Sequence, residues 1–386
     1  MKHVSLSAVL GLLLTACSTV GDEPRNTLKS LESRRAAVAR EEPVPANRTK
    51  AAQAYRQYLD IAPRDAQRPE ALRRLGDMDI ENAGSGEKLD QNDYKRAIGV
   101  YQNLLRAYPN YAGNDRVVYQ LARAYDEVGD HKQALATLDR LVSNYPHSAY
   151  RPEAQFRRGE LLFGLRSYGE AERAYAQVVA KGDASPFYER ALYMHGWSLF
   201  KQGHYDTALN SFLAVLDRKL IGRDTGEALE SITTLTRADR ELVEDSFRVV
   251  SISLSGLQGA KSIPAYFQDT GRRDYEFRVY QQLGELYFKQ ERIKDAADTY
   301  NAYARRYPTH PQAPLLQVRV IDAYQKAGFV ALALETKQEF VLRYGVKSDY
   351  RKANSVADYD RVLPHVRQHM EELARHYHAV AQKSKS

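Results

Sequence analysis

Four residues near the C-terminal end have the types and spacing to share a metal ion. His365, His369, Glu372 and His376 are separated by four, three and four residues. On a helix they fall on one side, and two histidines at i and i+4 can ligate one ion. The competing reading is a solvated polar stripe beside an apolar one. Val362, Val366, Met370, Leu373, Tyr377 and Val380 recur at helical spacing over the same stretch. The stripe accounts for all four residues, so no metal and no other cofactor is expected. Cys17 is the other reactive side chain, and it is the chain's single cysteine. One cysteine forms no internal disulfide and builds no cysteine metal site. The sequence contains no G-x-S-x-G, P-loop, G-x-G-x-x-G or H-E-x-x-H. No catalytic residues are assigned, and the reading is of a chain that is not an enzyme.

The position of Cys17 carries more than its chemistry. Lys2 precedes a short apolar stretch, Val4 to Leu14, followed by Leu14-Thr15-Ala16-Cys17. The stretch is too short to span a bilayer and has the form of a secretory signal. An ordinary secretory signal with an incidental cysteine would read similarly. The four residues ending in Cys17 resemble the lipobox of bacterial lipoproteins. That resemblance implies cleavage before Cys17, lipidation of its thiol and acylation of its new amino group. Two or more acyl chains make a stable anchor where one does not. In the family, Asp after the cysteine retains the protein in the inner membrane, so Ser18 implies the outer membrane. Residues 1–16 are then the signal peptide, and 17–47, with Pro24, Pro43 and Pro45, a lipidated tether holding a short helix over Leu28 to Ala39.

The elements that follow repeat. Ala97, Ala134, Ala171 and Ala208 are 37 residues apart, as are Ala296 and Ala333. Four residues after them stand Tyr101, Leu138, Tyr175, Phe212 and, after Ala296, Tyr300. Twelve residues before Ala134, Ala171, Ala208 and Ala296 is a small residue: Ala122, Gly159, Gly196 or Gly284. Twelve residues after Ala51, Ala97, Ala134 and Ala296 is Pro63, Pro109, Pro146 or Pro308. A small residue lets two antiparallel helices cross closely, the aromatic fills the space beside the crossing, and the proline ends the second helix. The pattern resembles the tetratricopeptide repeat over residues 48–345, with Tyr280-x-x-Leu283-Gly284-x-x-Tyr287…Ala296…Tyr300…Pro308 the fullest unit. The resemblance implies an all-α fold, a superhelical solenoid of antiparallel helix pairs, each burying its apolar face on the next.

An N-terminal array covers 48–222, beginning with a half unit and stretched by the loop Gly84 to Lys88. Residues 223–274 break the register and read as a degenerate repeat with an insertion. Two repeats follow over 275–346, and 347–386 holds a terminal helix, 357–383, and a tail.

In tetratricopeptide arrays, set positions of each first helix line a concave surface. Carried over residue by residue, these are Arg116, Tyr119, Arg123 and Asp126; Glu153, Phe156, Glu160 and Phe163; Arg190, Tyr193, Trp197 and Phe200; and the more polar Arg278, Gln281, Glu285 and Phe288. Aromatics and arginines are what protein interfaces use as anchors. The protein-binding groove is therefore assigned to Arg116, Tyr119, Arg123, Phe156, Phe163, Arg190, Tyr193, Trp197 and Phe200. The alternative is that some of these aromatics pack between units. Arg73, Asp77, Tyr119 and Arg123 do not supply the Lys and Asn set with which cytosolic members clamp a peptide carboxylate.

Lys and Arg number 56 against 49 Asp and Glu, interspersed, so no nucleic-acid footprint and no small-molecule substrate is read. The expected partners are other envelope proteins, with the membrane reached through Cys17. The chain is broadly similar to helical-repeat lipoproteins of outer-membrane protein assembly such as BamD, which share the Tyr-Pro pairs at 108–109, 145–146 and 307–308, and to periplasmic repeat proteins of the Tol–Pal type. BamD-like proteins are shorter, so a general envelope scaffold is preferred to that specific role. A cell-wall enzyme with a repeat appendage would need its catalytic domain within 223–274, which is small for one.

Overall fold

The computed structural model describes residues 48–83, 91–222, 232, 234–268 and 273–383. The signal peptide, Cys17, the tether and the Gly84–Lys88 loop lie outside the described residues. Ala51–Ser386 form one compact unit.

The chain is all-α. Among the described residues the helices are α1 (Arg48–Ile61), α2 (Arg68–Ala83), α3 (Gln91–Ala107), α4 (Asn114–Glu127), α5 (His131–Asn144), α6 (Arg151–Gly164), α7 (Tyr168–Val179), α8 (Tyr188–Lys201), α9 (Tyr205–Leu220), α10 (Arg237–Gly256), α11 (Ile263–Tyr266), α12 (Glu276–Lys289), α13 (Ile293–Arg306), α14 (Ala313–Lys326), α15 (Val330–Tyr344), α16 (Asp349–Ala353) and α17 (Val356–Lys383). From α2 to α10 each helix packs on the next, and α12 to α15 continue the series. This is a one-dimensional stack of helix hairpins, as the spacing predicts. Among the described residues there is no strand, and no helix is long and apolar enough to cross a membrane.

The small residues do what the pattern requires. A Cβ on Gly159 would lie 2.6 Å from Tyr175 Cε1, and one on Gly76 2.5 Å from Tyr101 Cε1. Gly284 faces the Tyr300 ring in the same way, and Gly196 faces Phe212. The tyrosine rings are buried flat against the first helix of their own hairpin. Gly76 escapes the sequence pattern because the 84–90 insertion shifts it. In the hairpin of α4 and α5 the pair is Ala122 and Leu138, both buried. A methyl group appears where the ring is absent.

The turns share a slot as well. Gly129, Gly203 and Gly328 have φ of 81°, 81° and 77°, and the equivalent Arg166 and Glu291 have φ of 63° and 61°. The left-handed backbone is demanded by the turn, and two side-chain-bearing residues accept its strain.

Residues 223–274 resolve, in their described part, into α10, the 3-10 turn Gly259–Ser262 and α11. The 20-residue α10 packs on α9 and α12 as a first helix would. Its second helix is reduced to the two short turns. Phe247, Val250, Leu254 and Ile263 join one apolar core with Phe212, Tyr280 and Tyr300. The described part of the segment thus shares the array's apolar core.

The terminal helix differs from its sequence reading. Val362, Val366 and Leu373 are buried, but Met370, Tyr377 and Val380 are exposed; α17 packs on α15 and, more lightly, on α14. His369, read as part of a solvated stripe, is buried with its ring edge-on to Phe340 at 5.2 Å. Glu372 is taken by Lys337, whose Nζ is 2.7 Å away. Among the described residues no His, Cys, Asp and Glu group has a metal-binding arrangement.

Burial lowers the His369 pKa below its usual 6.5; Lys337 and His365 add to this and Glu372 opposes it. The neutral ring is thus the folded form. Its contribution is complete above pH 6.5 and is lost as pH falls from there through the lowered folded value. Docking of α17 is therefore expected to weaken as pH falls below 6.5. Hydrogen exchange of α17, corrected for intrinsic rates, should rise on acidification in the native chain. His369→Gln should flatten that response, and an equally steep response in the variant would refute the assignment.

Candidate protein-binding surface

Each first helix places three residues around its small residue with recurring tasks. The residue just after it is Asp77, Arg123, Glu160, Trp197 or Glu285. The residue three before it is Arg73, Tyr119, Phe156, Tyr193 or Gln281, and the residue six before it is Glu70, Arg116, Glu153, Arg190 or Arg278.

Acidic residues in the first set tie one hairpin to the next. The Tyr101 hydroxyl passes over Gly76 and donates to Asp77 at 2.7 Å. Asp77 also accepts from Arg73 of its own helix at 2.6 Å and from Arg116 of the next first helix at 2.8 Å. Arg190 reaches back to Glu160 at 3.2 Å, and Arg319 to Glu285 at 2.7 Å. Arg278 reaches Glu244 at 3.1 Å. Burial raises the Glu160 carboxyl and Arg190 opposes it. The result is a ladder of acid and arginine that neutralises its own charge along the stack. Arg116 is therefore already engaged, with its side chain 41% exposed.

In α4 and α6 the residues three before the small residue are covered by the next hairpin. Tyr119 stacks on Tyr150 at 4.8 Å, and Phe156 on Phe187 at 5.3 Å. Tyr150 and Phe187 are the residues immediately before α6 and α8. Phe247 of α10 meets Tyr275, before α12, at 5.9 Å. Tyr119 and Phe156 are thus 4% and 2% exposed and do not line an open groove. Burial, joined by Glu153, pushes the Tyr119 hydroxyl up to about 12. Arg190 lies 4.8 Å over the hidden Phe156 ring.

The other assigned residues keep surface. Arg123 is half-buried and reaches Gln120 at 3.2 Å. Phe163 is half-buried, edge-on to Tyr168. Arg190 is exposed, and Tyr193, Trp197 and Phe200 are half-buried together.

Trp197 interrupts the ladder. It stands where neighbouring hairpins carry Glu160 or Glu285, and Phe212, with no hydroxyl, stands where they carry tyrosine. Its ring is 6.4 Å from Tyr193, 5.4 Å from Phe200 and 6.0 Å from Phe212, all edge-on. Lys201 and Arg248 each sit 5.7 Å from it. Tyr193 donates to Asp245 of α10, and burial followed by that bond pushes its hydroxyl up to about 12. Asp245 and Arg248 escape a reading by repeat position because the degenerate repeat shifts the register of α10. The arrangement is an aromatic patch with cations at its edge, suited to apolar and acidic side chains.

Family models described as tetratricopeptide repeat match residues 88–155, 190–218 and 278–310. The chain carries tetratricopeptide repeats. No curated protein matches it. Among solved structures, a tetratricopeptide repeat protein from Parabacteroides merdae is 18% identical, with a TM-score of 0.37 over 67% of this chain and 86% of its own. A MamA protein is 17% identical, with a TM-score of 0.37 over 59% of this chain and 96% of its own. MamA from Desulfovibrio magneticus RS-1 is 22% identical, with a TM-score of 0.33 over 44% and 86%. These scores are low, and the tetratricopeptide assignment rests on the family models and on the hairpin geometry. Tetratricopeptide arrays bind proteins, and no matching family is catalytic.

Proposed function

We propose that the chain is a lipid-anchored scaffold of the bacterial cell envelope, held through Cys17, without enzymatic activity, on whose Trp197 surface a partner protein docks. The observation that carries the docking surface is the break in the acid–arginine ladder at Trp197. The neighbouring first helices α6 and α12 spend their charges on the helices beside them, and here an aromatic patch is left half-exposed between α8 and α10. Desolvated aromatics of this kind dominate binding energy at interfaces. The resemblance of Leu14-Thr15-Ala16-Cys17 to a lipobox supports the anchor, and Ser18 supports the outer membrane. A role in envelope complex assembly follows from that location.

Photocrosslinking from positions beside Trp197 in intact envelopes tests the surface. A discrete partner protein is expected, its yield cut at least about tenfold by Trp197→Ala and largely restored by Trp197→Phe, since hot-spot truncation costs about 2 kcal/mol or more. A crosslink indifferent to Trp197→Ala overturns the assignment. Cys17→Ser tests the anchor separately. It should move the chain from the membrane pellet to the soluble fraction, and continued pelleting would remove the lipid from the account.

A further inference from the structure

The degenerate repeat leaves a hole where its second helix is cut short. Second helices elsewhere run from 12 residues in α7 to 17 in α3. Here the same place holds a four-residue 3-10 turn and the four residues of α11. The 3-10 turn packs on both α12 and α13. A Cβ on Gly259 would lie 2.7 Å from the hydroxyl of Tyr287 near the end of α12, and Arg306 at the end of α13 points to the Phe267 carbonyl. Two turns do not cover the flank of a 14-residue helix. A cavity of about 860 Å³ opens between them and α13, a volume within the range of sites that hold a ligand or a few side chains.

The walls have a definite chemistry. Leu257, Ala260, Pro264 and Ala302 give it apolar surface, and four cations, Lys261, Arg292, Arg305 and Arg306, outnumber two anions, Asp295 and Asp298. Two of the cations are used by the fold. Arg292 donates to Asp295 at 2.8 Å and covers the Tyr287 ring at 4.1 Å. Arg306 donates to the Tyr307 hydroxyl at 2.8 Å and lies 3.6 Å from Glu276. Lys261 and Arg305 are exposed and have no carboxylate partner among the described residues.

We propose that this cavity takes a short amphipathic helical segment of a partner protein, its apolar side chains against Leu257, Ala260, Pro264 and Ala302 and its carboxylates on Lys261 and Arg305. The segment stands where other hairpins have the rest of a second helix. Its apolar stripe replaces the missing cover, a helix-in-groove mode of recognition. The surplus positive charge selects an acidic stripe over a basic one and sets the orientation. The site shares no residue with the Trp197 surface, so either can fail without the other.

A displayed library of short random peptides, selected on the full chain and counter-selected on Ala302→Trp, tests the proposal. Survivors are expected to carry Leu and Asp or Glu at i, i+3 and i+4 spacing. A labelled survivor should bind saturably, lose at least about tenfold in affinity with Lys261→Glu plus Arg305→Glu, and bind Trp197→Ala unchanged. If Ala302→Trp does not fold, the doubly reversed surface variant serves for counter-selection. No survivors, survivors that are basic or lack helical spacing, or binding that is lost in Trp197→Ala would each overturn the proposal.

Discussion

Replacing Gly159 by alanine is expected to destabilise the hairpin of α6 and α7 by about 1–3 kcal/mol, the usual cost of forcing extra volume into a packed core. The added methyl would sit 2.6 Å from Tyr175 Cε1, and Tyr175 is fully buried with no room to turn aside. The same substitution in a Tyr175→Leu background should cost less than about 0.5 kcal/mol, because the pair then matches Ala122 and Leu138 of the preceding hairpin. Tyr175→Leu alone should be costly, since it empties the ring's space. Unfolding of a repeat array need not be all-or-none. Hydrogen exchange of α6 and α7, read against α12 and α13, is therefore the proper measurement. Equal cost of Gly159→Ala in both backgrounds would show that the ring does not set the small residue.

The second large effect is expected at Lys337. It occupies the slot filled by Tyr175 and Tyr300 in other hairpins, and its small-residue counterpart is Ile321. With its side chain 7% exposed, Lys337 ends on Glu372, whose side chain is 29% exposed. Burial pushes the Glu372 carboxyl up, but Lys337 and Gln368 outweigh it and hold the group at about 2. Breaking a fully buried pair costs roughly 3–5 kcal/mol. The partial exposure of Glu372 reduces this, so Lys337→Met is expected to loosen α17 by about 1–3 kcal/mol. Lys337→Met with Glu372→Leu should recover most of the loss, as apolar replacement of a pair often does. Exchange in α17 unchanged by Lys337→Met would mean that the ion pair does not hold the helix.

The stack of hairpins was legible because its physics is local. A glycine and a ring 16 residues later recur at fixed spacing and meet within one hairpin. What crosses between hairpins was harder to read. Tyr119 and Phe156 have the residue type and position of groove anchors, yet Tyr150 and Phe187 of the following hairpins cover them. The aromatics just before α6, α8 and α12, Tyr150, Phe187 and Tyr275, are visible in the sequence and would have signalled this. Asp77, Glu160 and Glu285 each follow a glycine directly, a regularity as plain as the glycines themselves. Lys337 was a signal of another kind. A lysine in a core slot requires a buried acid, and Glu372 was the acid within reach. Asp245 and Arg248 had no such cue, because α10 has lost the register that gives positions their meaning.

The fit of small residue to ring also constrains how such a gene can be shuffled. Recombination between hairpins keeps Gly159 with Tyr175 and Ala122 with Leu138. Recombination inside a hairpin, between the codons of its two helices, would join Ala122 to Tyr175 and produce a clash, or Gly159 to Leu138 and produce a void. Viable chimeras should therefore have their junctions in the short turns between hairpins, and the array can lengthen or shorten only by whole units.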